Sequence, residues 1–172
     1  MLIYLAHGAS GNIETIRPWT TALSKRSLAA QPVALPRGTA ERALPVYRDL
    51  IERAVSRLGL DPAADLVIGG PSFGGRVASL VAAEQQLRGL ILLSYPLHRP
   101  GHPEQLRVEH WPAITCPVLV LSGESDPFAR IDLLRQHISS LPSAELVTYP
   151  GVGHGLTKKM DDAVSRIVEF LS

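Results

Sequence analysis

Gly69-Gly70-Pro71-Ser72-Phe73-Gly74-Gly75 is the stretch around which the rest of the chain is organised. An apolar run, residues 65–68, precedes it, and an apolar run with helical spacing, residues 76–83, follows it. The central residues fit Gly-x-Ser-x-Gly, a sharp strand-to-helix turn that lifts a serine hydroxyl clear of a sheet, with small flanking residues that let strand and helix approach. The pattern predicts that Ser72 is a nucleophile. The alternative is a tight turn or phosphate cradle in which the serine is idle.

The composition is that of an ordinary globular protein. The 172 residues suffice for one domain with a sizeable core, and we expect a single domain over residues 1–172. Hydrophobic residues make up 45% of the chain and charged residues 19%, both common values. The formal net charge of +1 gives no electrostatic reason to expect a nucleic acid or an anionic membrane as partner.

The single cysteine and the N-terminal residues limit the possible metal sites, disulfides and cellular location. Cys116 is alone, which excludes an internal disulfide and a four-cysteine zinc site, and we interpret it as a small buried residue. The apolar run at residues 1–6 has neither a basic leader nor a small-residue cleavage site, so we interpret it as a strand. No run reaches membrane-spanning length. We therefore expect a cytoplasmic protein, monomeric or homodimeric.

Strand patterns and helix patterns alternate along the whole chain. The predicted strands are residues 2–6, 32–36, 66–69, 90–94, 117–122 and 145–149. The predicted helices are residues 13–30, 40–58, 73–86, 132–141 and 157–171. Strands that are apolar on both faces suit a parallel sheet covered by helices on each side. The alternation predicts a doubly wound α/β domain with a mostly parallel sheet.

Polar residues follow the strands at the edge where such sheets carry their sites, beyond the carboxyl ends. Ser72 follows the third predicted strand, Asp126 the fifth and His154 the sixth. A histidine can take the proton of a serine near neutral pH, and a carboxylate can hold that histidine in the right tautomer. We predict that Ser72 is the nucleophile, His154 the base and then the acid, and Asp126 the orienting carboxylate. Glu124 is the rival carboxylate, while Asp126 as a turn cap and His154 as a solvated loop residue are the alternatives.

Two backbone N–H groups are expected to hold the negative oxygen that forms during acyl transfer. One belongs to Phe73, at the start of a helix whose dipole also favours negative charge. The other is expected from the loop after the first strand, from Ala9 or alternatively Ser10. We interpret His7 as a structural residue that holds this loop through a side-chain hydrogen bond.

The chain resembles the α/β-hydrolase superfamily over nearly its whole length, and most of all the small, lidless, dienelactone-hydrolase-like branch. The segments that carry the resemblance are His7-Gly8-Ala9, residues 70–76, 95–101 and 123–128, and Gly153-His154. Pro71 departs slightly from the usual pattern. The resemblance implies a six-stranded sheet in the order 2-1-3-4-5-6, without the first two strands of the common eight-stranded sheet. It also implies a serine hydrolase that cleaves a small ester or thioester without a cofactor.

The stretch between the fourth and fifth strands is too short for a separate lid domain. Candidate walls of a substrate pocket are Ser10, Tyr95, Leu97, His98 and Phe128. We expect no metal site, because the histidines of this stretch are irregularly spaced and lack a strong carboxylate partner. An arginine one turn into a helix, Arg76, can reach a substrate carboxylate, but we interpret it as the structural partner of a nearby acid or carbonyl.

Two other functions stay open at this level. The chain can be an interaction module that keeps the fold and makes little or no use of the chemistry. The same residues can also hydrolyse a C–C or peptide bond.

Overall fold

Six strands form one parallel sheet in the computed structural model, which describes all of residues 1–172. The strands are β1 Leu2–Ala6, β2 Ala30–Val33, β3 Leu66–Pro71, β4 Gly89–Leu93, β5 Val118–Gly123 and β6 Ala144–Tyr149. Their order is β2-β1-β3-β4-β5-β6, and every neighbouring pair is parallel. The predicted strand order is confirmed.

Helices cover both faces of the sheet. They are α1 Ile13–Ser24, α2 Ala40–Leu58, α3 Pro62–Asp65, α4 Phe73–Ala82, α5 Ile131–His137 and α6 Met160–Leu171. Alternate residues of a strand face opposite layers. In β1, Tyr4 and Ala6 join the larger apolar core with α2 and α4, whereas Ile3 and Leu5 join the smaller core with α1 and α6.

The first crossover differs from its prediction. The chain leaves α1 at Ser24, because Ser27 takes a left-handed conformation with φ of 63° that a continuing helix cannot contain. Strand β2 consequently begins at Ala30, opposite Ile3, and ends at Val33 instead of running over residues 32–36. The short helix α3 was not predicted, although Asp61 before Pro62 is a usual helix-start signal, and Asp61 does accept from the Ala63 N–H.

The chain between β4 and β5 has a buried inner part. Tyr95 and Trp111 are both fully buried, with ring centroids 5.2 Å apart. No separate lid covers this edge of the sheet. Cys116, just beyond this stretch, is buried as predicted. None of the helices combines the length and the apolar character that a membrane crossing needs.

Candidate active site

The turn from β3 into α4 holds Ser72 in a conformation that few residues other than glycine adopt, with φ of 48° and ψ of −115°. The backbone fixes it from both sides: the Ser72 N–H donates to the Leu93 carbonyl (2.8 Å), and the Ser72 carbonyl accepts from the Arg76 N–H (3.0 Å). Strain of this kind is the mark of a nucleophile elbow.

The glycines of the elbow allow two close backbone contacts, one with the end of β1 and one between β3 and α4. A Cβ on Gly70 would lie 2.1 Å from the Ala6 carbonyl oxygen, and a Cβ on Gly74 would lie 2.4 Å from the same atom. These two glycines therefore make room for the end of β1. The approach of strand to helix depends instead on Gly75, whose Cβ would lie 2.6 Å from the Gly70 oxygen.

Ser72, His154 and Asp126 form a continuous hydrogen-bonded chain. His154 Nε2 lies 2.9 Å from Ser72 Oγ, and His154 Nδ1 lies 2.9 and 2.8 Å from the two carboxylate oxygens of Asp126. The Asp126 side chain is fully buried, whereas 27% of the His154 side chain is exposed. A buried carboxylate facing one imidazole nitrogen, with the serine at the other, is the arrangement that general-base catalysis requires.

Asp126 also caps the turn that follows it. Its Oδ1 accepts from the Phe128 N–H at 2.8 Å. The two readings of Asp126 from sequence are thus compatible, and the amide fixes the carboxylate that faces His154. Phe128 reaches the same imidazole with its ring, at a centroid distance of 4.3 Å.

Glu124, the rival carboxylate, has other partners. Its Oε1 accepts from Arg135 Nη2 and from Thr148 Oγ1, both at 2.8 Å. It joins α5 to β6, and it makes no hydrogen bond to His154.

The loop after β1 lies against Ser72. His7 fixes this loop: its Nδ1 donates to the Gly8 carbonyl (2.8 Å), and its Nε2 accepts from the Leu35 N–H (3.0 Å). A Cβ on Gly8 would lie 3.7 Å from Ser72 Cβ, an ordinary van der Waals distance, so the loop passes directly beside the serine. The structural role predicted for His7 is confirmed.

The two predicted oxyanion donors are available for a ligand. The Ala9 N–H makes no hydrogen bond within the chain. Phe73 is the first residue of α4, where backbone N–H groups lack intrahelical partners and the helix dipole favours negative charge.

Tyr47 of α2 is a supporting residue that sequence reasoning did not single out for the site. Its buried hydroxyl donates to the Gly69 carbonyl (2.6 Å) and accepts from the Ala6 N–H (3.2 Å). Burial raises the pKa of this phenol. The hydroxyl thus joins β1 to β3 where the two strands lead into the site loops. Nothing in the helical spacing around Tyr47 distinguishes this role from ordinary core packing.

Three predicted pocket walls are wrong. Tyr95, Leu97 and His98 are almost completely buried, and Tyr95 and Leu97 belong to the larger apolar core. Tyr95 donates its hydroxyl proton to the Arg107 carbonyl (2.6 Å), and His98 Nε2 accepts from the Arg130 N–H (3.0 Å). These residues anchor the stretch between β4 and β5 because their apolar and ring surfaces gain more from burial than from facing a solvated cavity.

Two cavities flank the elbow. The smaller, about 220 Å³, lies on the His154 side and is also lined by Ser10 and Ser94. The larger, about 520 Å³, lies on the Phe73 side and is lined by three arginines, Arg76, Arg99 and Arg107. Sequence reasoning placed Ser10 in a pocket, but it missed Ser94, Arg99 and Arg107, whose positions in separate segments have no characteristic spacing.

Comparison with known proteins agrees with this architecture. Residues 36–167 match the family described as an alpha/beta hydrolase domain. The chain therefore belongs to the α/β-hydrolase family.

Solved structures share the fold over nearly the whole chain. TT1662 from Thermus thermophilus is 21% identical, with a TM-score of 0.78 over 99% of this chain and 89% of that chain. A monoacylglycerol lipase from Paleococcus ferrophilus is 15% identical, with a TM-score of 0.80 over 99% and 93% of the two chains. Est1E from Butyrivibrio proteoclasticus, solved with ferulic acid, is 19% identical, with a TM-score of 0.77 over 99% and 90%. At these identities the likeness is one of fold.

Proposed function

We propose that this protein is a serine hydrolase that cleaves a small ester or thioester through an acyl-enzyme on Ser72. The observation that carries the proposal is the unbroken chain of hydrogen bonds from Ser72 Oγ through His154 to the buried Asp126. A serine hydroxyl is a weak nucleophile until a base removes its proton, and His154 Nε2 lies at the distance for that transfer.

In the first half of the reaction, Ser72 Oγ attacks the substrate carbonyl while its proton moves to His154 Nε2. Asp126 stabilises the imidazolium that results. The carbonyl oxygen becomes negative and accepts hydrogen bonds from the Phe73 and Ala9 N–H groups. His154 then returns the proton to the leaving alcohol or thiol as the carbonyl re-forms.

In the second half, water replaces the leaving group. His154 takes a proton from this water as it attacks the acyl-enzyme, and the same two N–H groups hold the second oxyanion. Collapse returns the proton to Ser72 and releases the acid. The whole cycle needs only protons that His154 moves, so it uses no cofactor.

The choice of a small ester or thioester rests on the resemblance of the sequence motifs to the dienelactone-hydrolase-like branch. It is also consistent with the solved structures that share the fold, which include a monoacylglycerol lipase and Est1E with bound ferulic acid. The modest volumes of the two cavities beside the elbow, about 220 and 520 Å³, favour small substrates over long lipid chains.

The test is hydrolysis of a series of p-nitrophenyl esters of increasing acyl length, together with labelling by a fluorophosphonate probe. We expect turnover of short esters and covalent labelling at Ser72. The Ser72→Ala variant should lose turnover by roughly 10⁴- to 10⁶-fold with an unchanged circular dichroism spectrum. Absence of both labelling and turnover in the wild type would instead favour an interaction module.

A further inference from the structure

The larger cavity beside the elbow, the arginine cavity, is built from three separate parts of the chain. The start of α2 supplies Thr39 and Glu41, the start of α4 supplies Phe73 and Arg76, and the stretch after β4 supplies Arg99 and Arg107. Its volume of about 520 Å³ is within the range of small-molecule sites, roughly 300 to 1,000 Å³. Since Phe73 directly follows Ser72 in the chain, this cavity lies beside the elbow.

Arg76 has no partner in the chain. Its Nη1 is buried without a hydrogen bond, and its guanidinium forms no ion pair or hydrogen bond with any acid or carbonyl. The structure therefore shows no direct contact that would give Arg76 the structural role expected from sequence. A buried guanidinium nitrogen without an acceptor is costly, which points to an acceptor that arrives with a ligand.

Arg107 and Arg99 add two further cations to the same cavity. Neither forms an ion pair with a carboxylate. Burial and then the positive charges of Arg76 and Arg99 lower the pKa of Arg107, so both of these arginines lie close enough to repel it. The one carboxylate at this cavity, on Glu41, is exposed and forms no ion pair with any of the three arginines. Hydrogen bonds to its own backbone and to Thr39 lower the pKa of Glu41, and the charge of Arg76 adds a smaller contribution in the same direction.

The backbone holds Arg107 in place. Its N–H donates to the Leu97 carbonyl (2.9 Å), and its carbonyl accepts from the Tyr95 hydroxyl (2.6 Å). These bonds close a loop over residues 98–106, and the anchors of that loop are buried. The main chain of Arg107 is thus fixed, while its side chain lines the cavity and forms no hydrogen bond or ion pair.

We propose that the arginine cavity binds an anionic oxygen group of the substrate, a carboxylate or a phosphate, on the Phe73 side of the bond that is cleaved. Planar guanidinium groups bind such anions with paired, charge-assisted hydrogen bonds. The preferred substrate is then an ester or thioester that carries a second acidic group, for example a half-ester of a dicarboxylic acid. This inference rests on the proposed hydrolase function and specifies its substrate class.

The test compares two esters that differ only in charge: p-nitrophenyl hydrogen adipate and p-nitrophenyl methyl adipate. We expect the wild type to prefer the anionic ester in kcat/KM by roughly ten- to hundredfold, the range that hydrogen bonds to charged groups give. In Arg107→Met and in Arg76→Gln the ratio of the two values should fall towards one. Arg57→Met, which removes an exposed arginine outside the cavity, is the matched control and should keep the ratio.

Inhibition distinguishes the two kinds of anion. Adipate and inorganic phosphate are each added to the hydrolysis of the neutral ester by the wild type and by Arg107→Met. Stronger competitive inhibition by adipate assigns the cavity to a carboxylate, and stronger inhibition by phosphate assigns it to a phosphate. Either result supports the anion site only if it weakens at least tenfold in Arg107→Met.

A failure of the anion site can be distinguished from a failure of the proposed hydrolase function. A wild type that hydrolyses the neutral ester and labels at Ser72, but shows no preference for the anionic ester and no inhibition by either anion, overturns the anion site alone. A wild type that neither labels nor hydrolyses either ester overturns the proposed function beneath it.

Discussion

Both carboxylate oxygens of Asp126 lie within hydrogen-bond distance of His154 Nδ1, at 2.9 and 2.8 Å, and one of them also accepts from the Phe128 N–H. The carboxylate is buried, so these are its main stabilising contacts. The arrangement keeps the Nδ1 proton on the Asp126 side and leaves Nε2 free to accept from Ser72.

Asp126→Asn should lower kcat by about 10³- to 10⁴-fold, because an amide NH₂ placed against Nδ1 favours the wrong imidazole tautomer. The measurement is steady-state hydrolysis of a p-nitrophenyl ester. Glu124→Gln is the matched control, since it changes the neighbouring carboxylate in the same loop, and it should retain most of the activity. A greater loss in Glu124→Gln than in Asp126→Asn would show that the orienting carboxylate was assigned to the wrong residue.

Replacing Ser72 by glycine should stabilise the protein relative to replacing it by alanine. Alanine keeps the strain of the positive φ at this position, whereas glycine relieves it, and such strain is worth about 1 to 3 kcal/mol. The greater freedom of glycine in the unfolded chain offsets part of this, which leaves a net difference of about 1 kcal/mol. Urea unfolding of the two inactive variants measures it, and equal stabilities would mean that the turn is not strained.

Tyr47→Phe should destabilise the protein by about 2 to 4 kcal/mol. The change removes one hydroxyl that serves the Ala6 N–H and the Gly69 carbonyl, and it leaves both groups buried without that partner. Tyr149→Phe is the control, because it removes a hydroxyl bonded only to the partly exposed Asp162, and it should cost less than about 1 kcal/mol. Urea unfolding compares them, and similar losses would argue against a special role for the Tyr47 bridge.

His110 should make stability depend on pH below neutrality. Burial, followed by the charge of Arg76, lowers its pKa from 6.5 to about 4, while Glu109 acts weakly in the opposite direction. The unfolded chain therefore takes up this proton at a higher pH than the folded chain does. The contribution of neutral His110 is present above about pH 6.5 and is lost as the pH falls towards 4.

The variant His110→Gln isolates that contribution from those of the carboxylates. Ser79 donates its own proton to the Arg76 carbonyl, so it accepts from His110 Nε2, and a glutamine NH₂ can replace this donor. The difference in unfolding free energy between wild type and variant should shrink as the pH falls from neutral to about 4. A difference that stays constant over this range contradicts the assignment.

Sequence reasoning was most successful where local chemistry determines structure. The bounds of β1 and α2 agree with their predictions, and the strand order follows from the family resemblance. The geometry that joins Ser72, Asp126 and His154 follows from their positions after successive strands, since parallel strands bring their carboxyl ends to one edge.

Sequence reasoning failed where the path of an irregular segment determines which side chains are buried. Tyr95, Leu97 and His98 have the composition of a pocket wall, and only the course of the chain after β4 shows that they face the core. Arg76 illustrates the complementary limit. Its position in a helix suggests a partner nearby in sequence. The surroundings of its side chain, however, are formed by residues from three distant segments, which the sequence alone does not bring together.

The loop over residues 98–106 separates its anchoring residues from the residues that face solvent and the cavity. Hydrogen bonds of Tyr95, His98 and the main chain of Arg107 hold the loop against the rest of the protein. The side chains of Arg99 and Gln105, in contrast, are exposed. Under the proposed function, a loop tip of different charge grafted between these fixed anchors is therefore expected to change substrate preference while leaving Ser72 and the core in place.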